Sequence, residues 1–170
     1  MGVTIHFEGR LRDEDAYRQF IDTALSFANE MEWSCREFHN DQTHLKRVRG
    51  EEEWDYVGLS RGVEISPHEA CDPFRLEFDK DFYIQEFTKT QFAPIEIHVL
   101  IADFLRKNAD SFDSFLVEDE GEFFETNDLG LLETHIENCN SLMEEYLAQP
   151  NKYYGPVRLE DGRIVDLMER

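Results

Sequence analysis

From residue 34 to residue 87 the chain offers one strand pattern after another, while apolar residues on both sides of that run recur at intervals of three and four. A helix buries a stripe with a period of 3.6 and a strand buries every second residue, so neither pattern can serve the other element. Helices segregated from a run of strands predict an α+β architecture. The sheet is expected to be mainly antiparallel, with a mixed one as the alternative, and to carry about three helices mostly on one face.

Val3, Ile5 and Phe7 alternate with Thr4, His6 and Glu8, which predicts a half-buried first strand. Asp13 is placed to cap a helix reaching about Trp33, with the stripe Tyr17, Phe20, Ala24, Phe27, Ala28 and Met31. Short strands are expected over residues 34–38 and 45–49, a longer one over 56–65, and two more over 75–78 and 82–87. The polar triplet Asp79-Lys80-Asp81 suits a tight turn between the last two. Pro94 can open a second helix, because the amide it lacks would have no helical partner there. A strand over 115–117 follows. A third helix then runs from a cap among residues 126–128 to Leu147, with the stripe Leu132, His135, Ile136, Cys139, Leu142, Met143 and Tyr146. The tail reads as a C-terminal hairpin around Asp161-Gly162, with a two-residue type I′ turn and Leu159 facing Ile164.

With 170 residues the chain suits one acidic α+β domain spanning residues 1–170. Fourteen Phe and six Tyr supply a core despite the charge. The formal net charge of −21 argues against nucleic-acid and anionic-membrane binding, both of which need a cationic surface. Cys35, Cys71 and Cys139 are odd in number and widely spaced, without zinc-site spacing, and the first residues lack the pattern of a signal peptide. A cytoplasmic location is therefore expected, with no metal and no cofactor.

Three places carry candidate chemistry. Between Lys107 and Lys152 there is no Lys or Arg. The same stretch holds twelve acids: Asp110, Asp113, Glu118, Asp119, Glu120, Glu122, Glu125, Asp128, Glu133, Glu137, Glu144 and Glu145. Such self-repulsion is relieved by a basic partner or a cation, or is simply a solvated face. Second, Ser66-Pro67-His68-Glu69-Ala70-Cys71-Asp72-Pro73 puts an imidazole, carboxylates and a thiol in a loop stiffened by prolines, though without the zinc-protease spacing. Third, Lys89-Thr90-Gln91-Phe92-Ala93-Pro94 joins a strand to the second helix. Lys89 there could bind an anion or form an ion pair, and His98 sits at the edge of the apolar face.

The segments Lys89-Thr90-Gln91-Phe92-Ala93-Pro94 and Asp119-Glu120-Gly121-Glu122-Phe123-Phe124-Glu125-Thr126, with Pro67-His68, resemble those of an uncharacterised bacterial protein family. The resemblance covers most of the chain. It implies a bacterial cytoplasmic origin and no particular activity, cofactor or catalytic residue.

Two functions compete. One is a non-enzymatic binding or regulatory protein, of the immunity or antitoxin kind, that presents Glu118, Asp119, Glu120, Glu122 and Glu125 to a basic protein. The other is an enzyme or small-ligand protein whose pocket gathers His68, Glu69, Lys89, Gln91, His98 and the Glu120 and Glu122 carboxylates. Either could be a monomer or a homodimer, the latter through Tyr153 and Tyr154.

Overall fold

In a computed structural model that describes residues 2–170, strand β1 (Thr4–Leu11) runs into Asp13. The Asp13 carboxylate accepts the Ala16 amide at 2.9 Å and so starts helix α1 (Glu14–Glu30). A long hairpin follows, β2 (Ser34–Arg49) and β3 (Glu52–Ser66), then β4 (Phe74–Asp79) and β5 (Tyr83–Lys89). Pro94 opens helix α2 (Ile95–Asn108), which leads through one 3₁₀ turn to β6 (Phe112–Asp119). A single helical turn, α3 (Phe123–Thr126), precedes α4 (Leu129–Leu147), whose cap is Asp128. The tail forms β7 (Tyr153–Tyr154), β8 (Val157–Arg158), β9 (Ile164–Val165) and β10 (Met168–Glu169).

Every ladder is antiparallel. One sheet has the order β5-β1-β6, another β2-β3-β4, and the tail adds the pairs β8-β9 and β10-β7. The fold is thus α+β as expected, and among the described residues there are four helices against the expected three or so, and no parallel pair. The extra helix is the one-turn α3, too short for periodicity to reveal.

Val3, just before β1, and the inward residues Ile5 and Phe7 of β1 join the apolar faces of α1 and α2 and the side chains of Val63, Ile65, Phe74, Leu76 and Phe78 in one core. Phe74 lies edge-on to both Phe7 and Phe104, which ties the two sheets to α2. Burial here removes apolar surface from water at roughly 25 cal/mol per Å². Helix α4 is attached more loosely: only Leu132 and Met143 of its stripe are fully buried, and Leu142 is exposed.

Three expectations are corrected. Residues 34–38 and 45–49 belong to one strand, because β2 pairs with β3 through the polar middle and absorbs the misfit in a register shift between Asn40 and Thr43. Asp79-Lys80-Asp81 does form a tight turn, but β4 and β5 part beyond it and join different sheets. In the tail Arg158, not Leu159, pairs with Ile164. There the Gly162 amide donates to the Leu159 carbonyl and the Leu159 amide to that of Arg163, so the loop is one residue longer than a type I′ turn.

The tip of the β2–β3 hairpin is pinned to β5. The Val48 amide donates to Gln85 Oε1 at 2.9 Å and Gln85 Nε2 donates to the Val48 carbonyl at 2.7 Å, so one amide side chain satisfies both edge groups of β2. Arg47 is buried beside it, within 3.4 Å of Asp79 and 5.0 Å from the centre of the Tyr83 ring. This closure creates the cleft described next.

Candidate functional site

The turn after β5 and the turn after β6 meet at a buried polar chain. Thr90 Oγ1 lies 2.6 Å from His98 Nδ1, and His98 Nε2 donates to Asp119 Oδ2 at 2.9 Å. The Asp119 carboxylate also accepts the amides of Gly121 at 2.7 Å and Phe124 at 2.9 Å. Burial alone would raise the Asp119 pKa, but the hydrogen bond and charge of His98, with those two amides, outweigh it and hold the group below its ordinary value. Hydroxyl, imidazole and carboxylate stand in the order that activates a nucleophile. Here, however, Thr90 is 1% exposed and His98 0%. Gly121 seals the site: a Cβ there would come within 2.5 Å of Leu132 and 3.2 Å of His98. The linked side chains hold β5, α2 and the β6 turn together. His98, expected at the edge of the apolar face, lies in the core, because its two nitrogens both find partners there.

Gln91 is also buried. Its Oε1 accepts the Val3 amide at 3.1 Å and its Nε2 donates to Asn140 at 3.1 Å, which docks α4 on the start of β1. Lys89 Nζ donates to Asp166 at 2.5 Å in a largely buried ion pair. The Lys89 amide and the Ile164 amide both donate to Asp72, so the strand end is committed to holding the tail.

His68 and Glu69 share a cavity of about 270 Å³ with Ser66, Cys71 and Arg158. Lys89, Gln91, His98, Glu120 and Glu122 do not line it. The Ala70 amide donates to His68 Nδ1 at 3.0 Å, so neutral His68 carries its proton on Nε2. Burial pushes the Cys71 thiol up to about 12, so it is un-ionised and inert at neutral pH.

The acids of the β6 turn diverge. Glu120 accepts the Thr4 amide at 2.9 Å and meets His6 at 3.3 Å, while Glu125 accepts the Asp119 amide at 3.1 Å. Glu122 meets His135 at 2.6 Å, and His135 is half-buried at the margin of α4 rather than in its core. Among the described residues no group of three or more His, Cys, Asp or Glu side chains is placed to hold a metal ion. No helix among them is long and apolar enough to cross a membrane. Tyr153, one of the two expected contact aromatics, packs edge-on against Tyr146 of the same chain at 5.2 Å.

A wider concavity than the His68 cavity lies elsewhere, among residues that no motif marks. Between the hairpin tip and the outer face of β5-β1-β6 is an open cleft of about 680 Å³. Phe87, Leu116 and Val48 stand in it at 41%, 58% and 48% exposure. One signal for it was present: Phe115-Leu116-Val117 is an unbroken apolar run, so Leu116 has to face outward if its neighbours face the core.

At the floor of the neighbouring cavity Glu86 is nearly buried and 2.7 Å from Arg163. Burial, aided by Glu77, outweighs Arg163 and Arg75 and pushes the Glu86 carboxyl up to about 7. A raised pKa makes its stabilising contribution complete below the unfolded value of 4.5 and lost as pH rises through about 7. In Glu86→Gln the denaturation midpoint should therefore gain on the native chain between pH 4.5 and about 7, and the difference should level off above that. An unchanged difference across that range would show that Glu86 stays ionised.

Comparison with models of protein families, with curated proteins and with solved structures finds no match for this chain.

Proposed function

We propose that this chain is a non-enzymatic cytoplasmic binding protein that presents the acidic face of α4 and its flanks to a basic protein partner, as immunity and antitoxin proteins do. One observation supports it above the others. The acids near the β6 turn are largely used internally, whereas Glu133, Glu137, Glu144 and Glu145 of α4 are exposed and have no ion-pair partner among the described residues. The spacing of Glu133, Glu137 and Glu144, four and then seven residues apart, keeps them within one stripe of the helix. The burial of the Thr90–His98–Asp119 chain and the commitment of Lys89 and Gln91 also favour binding over catalysis.

Charge on such a face acts chiefly on the association rate and is screened over roughly 8 Å at physiological salt. The triple variant Glu133→Gln, Glu137→Gln, Glu144→Gln should fold as the native chain does. With a basic partner recovered from the source cytoplasm, it should associate at least about tenfold more slowly at low salt, and the difference should shrink towards nothing at about 1 M salt. Equal rates for the two proteins at low salt would remove α4 as the docking face.

A further inference from the structure

The segment between β3 and β4 and the short strand β8 meet over a cavity of about 270 Å³, lined by Ser66, His68, Glu69, Cys71, Pro73 and Arg158. That is below the roughly 300–1,000 Å³ of pockets for drug-sized molecules, so its occupant has to be small. If round, such a space is about 8 Å across, the span of one tetrahedral oxyanion with a hydrogen bond on either side.

Arg158 gives the cavity its character. In a chain with 38 acids to 17 basic residues, it has no carboxylate partner among the described residues. Its guanidinium donates instead to the backbone carbonyls of Gly162 at 2.5 Å, of Glu69, and of Cys71 at 3.5 Å. Carbonyls from two segments thus hold the fork in place, and its other donors are free. The neighbouring loop adds more. The Cys71 amide donates to the His68 carbonyl at 3.2 Å and the Ala70 amide to His68 Nδ1 at 3.0 Å, which folds residues 68–71 into a turn. Neither the His68 Nε2–H nor the Ser66 hydroxyl has a partner among the described residues. The Glu69 carboxylate is exposed and likewise unpartnered among them. The Cys71 thiol takes no part, since it faces the Lys89 carbonyl 3.5 Å away.

We infer that this cavity binds inorganic phosphate. Arg158, His68 Nε2–H and the Ser66 hydroxyl donate to its oxygens, and the Glu69 carboxylate accepts its proton. A tetrahedral ion presents oxygens in every direction, so it can meet groups on all sides of one small cavity. Glu69 sets the choice of anion. Hydrogen phosphate keeps a proton to give at neutral pH, whereas sulfate has none and meets the carboxylate charge to charge. The net charge of −21 opposes binding weakly, because it is screened over roughly 8 Å at physiological salt. The site is open to water, so Kd falls in the range of about 0.1–1 mM.

The test is an NMR titration of the native chain at pH 8 and constant ionic strength, following the Ala70 and Cys71 amides, with phosphate, sulfate and methyl phosphate as probes. Phosphate should shift both amides saturably, and sulfate should bind at least about tenfold more weakly. Methyl phosphate should match sulfate, because its second pKa of about 6 leaves it without a proton, and this arm separates the free ion from a phosphate ester. His68→Asn, whose side-chain oxygen can still accept the Ala70 amide, and Ser66→Ala should each weaken phosphate about fivefold. Glu69→Gln should weaken phosphate and strengthen sulfate until the two bind within about threefold of each other. Arg158 also ties β8 to residues 69 and 71, so these variants spare it. The α4 triple variant keeps the cavity and should bind phosphate as the native chain does, which separates this inference from the partner-binding reading. Absence of saturable shifts, sulfate binding the native chain as tightly as phosphate, or phosphate affinity unmoved in both His68→Asn and Ser66→Ala would overturn it.

Discussion

Asp119→Ala is expected to destabilise the protein by about 3–5 kcal/mol, the cost of breaking a buried charge-assisted network. The substitution removes the acceptor of three hydrogen bonds at once, from His98 Nε2 and the amides of Gly121 and Phe124. The His98 and Gly121 donors are buried and cannot turn to water, with Phe123 packed edge-on to the imidazole and Leu132 against Gly121. For a chain of this length the loss corresponds to a fall in Tm of about 8–15 °C, measurable by calorimetry. Asp119→Asn should fare little better, since its amide nitrogen would face a donor. The pH dependence follows from the depressed pKa of Asp119. Its stabilisation is present above the unfolded value of 3.8 and is lost as pH falls through the lower folded value. The native chain should therefore lose stability more steeply than Asp119→Asn as pH falls below about 4. Parallel acid-denaturation curves for the two proteins would mean that Asp119 is not the ionised acceptor described here.

Gly62→Ala should have a comparable effect for a different reason. Gly62 pairs with Glu77 in the β3–β4 ladder, and a Cβ on it would stand 1.7 Å from the Leu76 carbonyl oxygen. That atom belongs to the backbone of β4, whose side chains Phe74, Leu76 and Phe78 are buried in the core, so no side-chain rotation can make room. The strands must part, at a cost of at least about 3 kcal/mol, near the top of the range for overpacking. Gly50 provides the control. It sits at the hairpin tip with φ +62° and nothing within 4 Å of an added Cβ, so Gly50→Ala should cost only the local backbone strain of about 1–2 kcal/mol. Urea denaturation of the pair would decide the matter. Equal destabilisation would mean that the sheet can relax around residue 62.

The legible part of the candidate site was its chemistry by residue type, and the illegible part was its geometry. Lys89, Thr90, His98 and Asp119 could be singled out from the sequence. Whether they faced a solvent-filled pocket or each other could not, because a side chain's exposure depends on which element lies over it. His68 and Glu69 do share a cavity, but the Gln91 and Glu120 side chains turn to the Val3 and Thr4 amides of β1 instead. Those two bonds span 88 and 116 positions of sequence, beyond the reach of any local pattern. The cleft was harder still. Its walls come from β2, β5 and β6, and it exists only because the Gln85 amide draws the hairpin tip against β5.

Local pattern settled the kind and order of the longer elements, although it divided β2 in two and did not reveal α3. The cap at Asp13, the start at Pro94 and the stripes of α1 and α2 all express interactions within one helical turn, which act before any tertiary contact forms. Composition likewise determined a core rich in Phe and a charge concentrated after residue 107. Only the tertiary structure decided that β4 and β5 belong to different sheets, that α4 rests on just two fully buried residues, and that His98 is sealed rather than exposed. The physical reason is the range of the forces. Backbone propensity and side-chain alternation are read along a few residues. Desolvation, pairing of buried polar groups and the shape of a cleft are set by neighbours the chain meets only after it has folded.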